Sequence, residues 1–266
     1  MTTPPDLPLV DNVVPRLRAA GCVFAEDEAV LLVAAAGSPE ELEEMVARRV
    51  VGEPLEYVVG WAAFCGIRMV VEPGVFVPRH RTELLVERAA ELVRHVEREV
   101  PVVLDLCCGS GALAAALLAL SGPLEVYAAD VDVTAVRCAR VNLAGAGGHV
   151  FEGDLFDPLP RDLRGRVDLL LANVPYVPTD AIALMPPEAR DHELRVTLDG
   201  GADGLDVFRR VSAGAPQWLA PGGHVLVESS DRQAATMCDV LTGDGLVPRV
   251  VADEEWGATV VVGTRR

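Results

Sequence analysis

From Pro101 to the end of the chain, short apolar runs alternate with longer stretches whose apolar residues recur at helical spacing. Val102–Leu106, Glu125–Ala129, His149–Glu152, Val167–Ala172, Gly223–Glu228, Val247–Val251 and Thr259–Val262 read as strands. Helices are expected over Ala112–Leu120, Val133–Leu143, Leu205–Leu219 and Arg232–Leu241. Strand–helix alternation of this kind predicts a mostly parallel seven-stranded sheet covered by helices on both faces. In such sheets ligands bind outside the carboxyl ends of the strands. The residues that follow each strand are therefore where chemistry is expected.

Two of those positions stand out. Asp105-Leu-Cys-Cys-Gly-Ser-Gly111 leaves the first strand and opens a helix. Its small residues let backbone approach a ligand, and the helix start offers free N–H groups. Asp130, at the end of the next strand, can accept hydrogen bonds from both hydroxyls of a ribose; a helix cap is the plainer alternative. No G-x-x-x-x-G-K-[ST] loop exists, and the turn departs from the G-x-G-x-x-G of dinucleotide enzymes. An acid beside the turn repels a pyrophosphate but suits an ammonium group, and Asp105 can be that acid. Asp154, after the third strand, can meet an adenine amino group with Leu155 or Phe156 against the ring, or can simply form an Asx turn. Together these features favour nucleoside binding.

The second position is Leu169-Leu-Leu-Ala-Asn-Val-Pro-Tyr-Val177. A buried strand ends on the carboxamide of Asn173. Pro175 has no N–H and stops the ladder. Tyr176 sets a flat ring beside the amide. The group suits a planar, weakly nucleophilic nitrogen, though four such residues alone also make an ordinary proline turn.

Before Pro101 the chain changes character twice. Residues 1–59 read as a helical bundle, with Ser38-Pro39-Glu40-Glu41 a capped helix start. Residues 60–80 are expected to form a linking β-hairpin, Phe64–Val71 against Val75–Val77, turning at Glu72-Pro73-Gly74. Residues 81–266 carry the alternating pattern. Between Tyr176 and Leu205 a long irregular stretch could cover the site as a lid, with His192 either a base or a surface histidine.

Composition narrows the function. Net charge is −17, from 40 acidic and 23 basic residues, so no direct nucleic-acid partner is expected. Six cysteines without metal spacing read as reduced thiols of a cytosolic protein, and a cytoplasmic location is expected. No signal peptide and no run of about 20 apolar residues is seen, so no membrane partner is expected.

Five collinear blocks resemble the HemK/PrmC-type peptide-chain-release-factor glutamine methyltransferases. They are Pro54–Gly60, Val75–Val86 with its Pro78-Arg-His-Arg-Thr-Glu83 core, the Asp105–Gly111 turn, Asn173–Tyr176, and Leu198-Asp-Gly-Gly-Ala-Asp-Gly-Leu205. The resemblance implies a Rossmann-like class I methyltransferase with a small N-terminal helical domain for substrate docking. It implies S-adenosyl-L-methionine as methyl donor and the side-chain amide of a protein glutamine, in a release factor, as acceptor. It also implies that Cys107, Cys108, Gly109, Ser110 and Gly111 line the methionine part of the donor and that Asp130 holds the ribose. Asp154 and Leu155 would flank adenine, Thr82 would lie close by, and Asn173 would touch donor and acceptor. Asn173, Val174, Pro175 and Tyr176 would form the catalytic turn. The chain departs from the family pattern at Val174 and Cys107, where proline and glycine are usual, and at Leu194, where proline is favoured after Glu193. A changed acceptor (another protein, an adenine, a small molecule) or a non-catalytic cofactor-binding paralogue are the alternatives these departures raise.

Overall fold

The computed structural model describes residues 7–266; the first six residues of the expected bundle lie outside them. Four helices come first: α1 (Leu7–Ala19), α2 (Ala25–Ala35), α3 (Pro39–Val50) and the short α4 (Leu55–Val59). They share an apolar centre of Val13, Leu17, Leu32, Leu42 and Val46. The cap at Ser38 forms as its sequence predicts. Glu41 N donates to Ser38 Oγ at 3.1 Å, and the Glu41 carboxylate reaches back to Gly37 N at 2.7 Å.

A two-stranded hairpin follows, β1 (Trp61–Phe64) against β2 (Ile67–Val70). Its turn is Cys65-Gly66, not the expected Glu72-Pro73-Gly74, and Val75–Val77 is not a strand. Cys65 and Gly66 both take positive φ, 47° and 76°, which matches the twist of a two-residue hairpin. The proline-glycine pair instead steers the chain out of the hairpin. Asn142 fastens that hairpin to the sheet domain: its side chain accepts from Val70 N (2.8 Å) and donates to Val70 O (2.9 Å) and Ser110 O (2.8 Å).

The sheet contains β3 (Val102–Leu106), β4 (Glu125–Asp130), β5 (His149–Glu152), β6 (Val167–Ala172), β7 (Leu219–Ser229), β8 (Leu246–Asp253) and β9 (Ala258–Arg265). Its order is β5-β4-β3-β6-β7-β9-β8. The first five are parallel, and β9 runs antiparallel to both β7 and β8. Around it lie α5 (Glu83–Val93), α6 (Ala112–Ser121), α7 (Val133–Leu143), α8 (Pro187–His192), α9 (Asp206–Trp218) and α10 (Asp231–Gly243).

Alternation along the strands divides the core. Val103, Leu169 and Leu171 face α5 and α6, whereas Leu104, Leu170 and Ala172 face Phe208 and Val211 of α9 and Met237 of α10. Both faces are covered, which is why Leu169–Ala172 of β6 is a continuous apolar run. From β3 the chain proceeds outward to β4 and β5, then returns to β6 on the other side of β3. That reversal opens a crevice above the carboxyl ends of β3 and β6.

Candidate active site

The crevice is a cavity of about 340 Å³. Thr82, Cys107, Cys108, Gly109, Ser110, Asp130, Asp154, Leu155, Asn173, Val174, Pro175 and Tyr176 all line it. Two expected residues stand back: Gly111 and Asp105 are not on its wall. Gly111 serves packing instead. A Cβ there would meet Ala139 at 3.2 Å, so glycine lets α6 approach α7. His192 is also off the wall, which leaves no support for it as a base.

On one side, the ends of β3, β4 and β5 converge. Gly109 N donates to Asp130 Oδ2 at 2.8 Å and Asp132 N to Asp130 Oδ1 at 2.9 Å. The carboxylate is thus fixed by backbone while its remaining lone pairs are free for hydroxyl donors. Burial pushes its pKa up. Asp105 is fully buried behind the turn. Its Oδ2 accepts weakly from Ala114 N at 3.3 Å, and its Oδ1 has no partner, nor has Ser110 Oγ. Burial raises the Asp105 pKa to about 8, and the Asp130 charge adds to the shift. Cys107 and Leu155 hold left-handed backbone, φ 53° and 48°, as residues other than glycine. Such strain is concentrated where ligands bind. Burial, reinforced by Asp130 and Asp105, also pushes the Cys107 thiol well up. It therefore stays a neutral thiol rather than a nucleophilic thiolate. Arg210, which the sequence reading missed, lines this side and pairs with Asp154 at 2.6 Å.

The other side is built by the catalytic-turn candidate and the segments that hold it. Among the described residues, neither the Asn173 side chain nor the Val174 carbonyl has a hydrogen-bond partner, and both residues face the cavity. Tyr176 is tied at its hydroxyl. It donates to Glu228 Oε1 at 3.0 Å and accepts from Arg81 Nη2 at 2.6 Å. Burial, aided by the Glu228 charge, raises its pKa to about 12. The Leu198–Leu205 glycine block clamps the same turn from behind. Val177 N donates to Leu198 O (3.0 Å), Gly200 N to Val177 O (2.9 Å), and Gln233 Nε2 to Tyr176 O (3.0 Å). A Cβ on Gly200 would sit 2.7 Å from Pro175 O, and one on Gly204 2.2 Å from Tyr176 O. Close backbone approach is what those glycines supply.

A lid lies across this side, running through α8. Glu193, 6% exposed, pairs with Arg79, and its Oε2 is buried without a partner. Glu188 pairs at 2.7 Å with Arg49 of α3, itself held by Glu28 at 2.6 Å. Phe76, Met185 and Val196 complete an apolar wall.

The residues present fit S-adenosylmethionine: a fixed carboxylate for a ribose, a small-residue turn with unpartnered polar atoms behind it, and a polar edge at Asp154. No cluster of His, Cys, Asp and Glu among the described residues could hold a metal. No helix among them is long and apolar enough to cross a membrane.

Comparison with known proteins places these features in context. A family profile, the methyltransferase small domain, matches residues 66–185. A release factor glutamine methyltransferase of Geobacter sulfurreducens is 39% identical over 86% of this chain and 80% of its own. A 4-amino-L-phenylalanine/4-methylamino-L-phenylalanine methyltransferase of Streptomyces pristinaespiralis is 35% identical over 75% of this chain and 68% of its own. Among solved structures, a methyltransferase from Pyrococcus furiosus shares the fold, with a TM-score of 0.54 at 16% identity over 84% of this chain and 98% of that one.

Proposed function

This chain belongs to the release factor glutamine methyltransferases, and from that premise we propose that the acceptor is a glutamine side-chain amide in a peptide chain release factor. The enzyme is an S-adenosylmethionine-dependent methyltransferase whose substrate is a protein. The donor supplies an electrophilic methyl group when bound.

In this reading Asp130 orients the ribose, Asp154 and Leu155 seat the base, and the Cys107–Ser110 turn closes over the amino-acid end. An amide nitrogen is a poor nucleophile because its lone pair is delocalised. Asn173 Oδ1 and the Val174 carbonyl are two acceptors without donors at the end of β6. Holding both amide hydrogens, they draw electron density onto nitrogen as positive charge develops there. Tyr176 stacks on the flat amide and sets its angle to the donor. Positioning of this kind is worth roughly 7–11 kcal/mol in favourable cases. Glu228, Arg81 and the glycine block hold that turn still. The helical segment 7–59 acts as the docking unit for the acceptor protein, and residues 81–266 carry the chemistry.

The observation that carries the proposal is the pair of unpartnered acceptors at Asn173 and Val174 beside a tethered Tyr176. Incubation with labelled donor and release factor, followed by peptide mapping, tests it. A single methylated glutamine is expected; label on no glutamine removes the reading. The kinship to an aminophenylalanine methyltransferase favours one alternative, a conjugated amine as acceptor. Label transfer to free 4-aminophenylalanine but not to protein would select it.

A further inference from the structure

Glu228, the penultimate residue of β7, is 2% exposed, yet three donors converge on it. Arg81 Nε and the Tyr176 hydroxyl both reach Oε1 at 3.0 Å, and the Thr82 hydroxyl donates to Oε2. Arg81 closes the ring by donating from Nη2 to the Tyr176 oxygen at 2.6 Å. One buried carboxylate thus joins the segment before α5, the turn after β6 and the end of β7. Its charge is matched by one guanidinium, and its oxygens are filled by donors.

We propose that Glu228 is a positioning residue for methyl transfer, acting through Tyr176. The inference rests on the amide-transfer reading of the cavity. A phenol ring on a turn has two free torsions. Packing alone restrains the ring plane poorly where one face must stay open to a ligand. Fastening the hydroxyl at two points removes that freedom and leaves the face available. The same carboxylate holds Thr82 on the adjoining wall, so the spacing between the two is set by a single group. A misplacement of about 1 Å in such a site can cost about a hundredfold in rate.

The test is a double-mutant cycle of Glu228→Gln with Tyr176→Phe. The second variant keeps the ring and removes its tether. Each single variant is expected to lower kcat roughly 10- to 100-fold. The double variant is expected to be no slower than the slower single one, because both break the same restraint. Donor affinity, measured by calorimetry, is expected to stay within about threefold. Additive losses, a kcat within twofold of wild type in Glu228→Gln, or a loss that follows donor affinity would overturn the proposal. NMR of tyrosine-labelled protein reads the ring without any acceptor: the Tyr176 resonances should shift or broaden in Glu228→Gln and stay fixed if the carboxylate is merely structural. The ring signal therefore tests the restraint even where a release factor proves not to be the acceptor, and the label assay tests the acceptor even where the ring does not move.

Discussion

Cys107 sets a side chain where the turn needs left-handed backbone, φ 53°. That conformation costs a residue with a Cβ about 1–2 kcal/mol, while glycine carries its own entropic cost of about 0.5–1 kcal/mol. Cys107→Gly is therefore expected to raise stability by a few tenths to about 1 kcal/mol, read by denaturant unfolding, with donor affinity equal or tighter. Val174→Pro is expected to raise kcat modestly by fixing φ before the carbonyl that accepts; a large loss would mean the turn is shaped for a different acceptor. Asp105 gives a pH dependence. Its folded pKa, about 8, lies above the ordinary carboxylate value of 3.8, so the folded state binds the proton more tightly than the unfolded chain. Its contribution is fully present below the unfolded pKa and is lost as pH rises toward about 8, with a slope of up to about 1.4 kcal/mol per pH unit. Asp105→Asn removes that loss. Its melting temperature is expected to gain on wild type between pH 5 and pH 9; parallel pH curves would contradict the assignment.

At the scale of elements, the glycine block and the lid show what sequence reveals and what it hides. Strand ends and the residues after them are local, so Asp130, Asn173 and the small-residue turn could be read in order. Glu228 could not: its partners Arg81 and Thr82 lie 147 and 146 residues away, and a glutamate near the end of an apolar strand carries no signal of its own. The same holds for Glu193 with Arg79 and for Glu188 with Arg49. Glu72-Pro73-Gly74 misled because its turn composition outweighs Cys65-Gly66, although cysteine at positive φ is what the hairpin uses. The clamp predicts that Gly204→Ala, whose Cβ would sit 2.2 Å from Tyr176 O, destabilises by about 1–3 kcal/mol and lowers kcat, by unfolding and steady-state kinetics. The lid contact predicts a contrast. Glu188, 54% exposed, can be changed to Gln at a cost within about 1 kcal/mol. Arg49→Met strands the buried Glu28 and is expected to cost about 3–5 kcal/mol.

Across the molecule, the sheet's reversal at β3 and β6 brings the edge carrying Asp130 and Asp154 and the Asn173–Tyr176 turn into one crevice. Helices α1–α4 touch its lid through Arg49. A net charge of −17 suits a basic patch on the acceptor protein, whose encounter rate is then expected to fall as salt rises. In the mechanism proposed above, Asn173 and the Val174 carbonyl make a carboxamide nitrogen reactive by holding its hydrogens. Single-turnover methyl transfer by Asn173→Ala, with donor affinity measured on the same protein, tests that most directly. A rate loss of about 10²–10³ with donor affinity nearly unchanged is the expected result. A rate within tenfold of wild type, or a loss explained wholly by weaker donor binding, would contradict it.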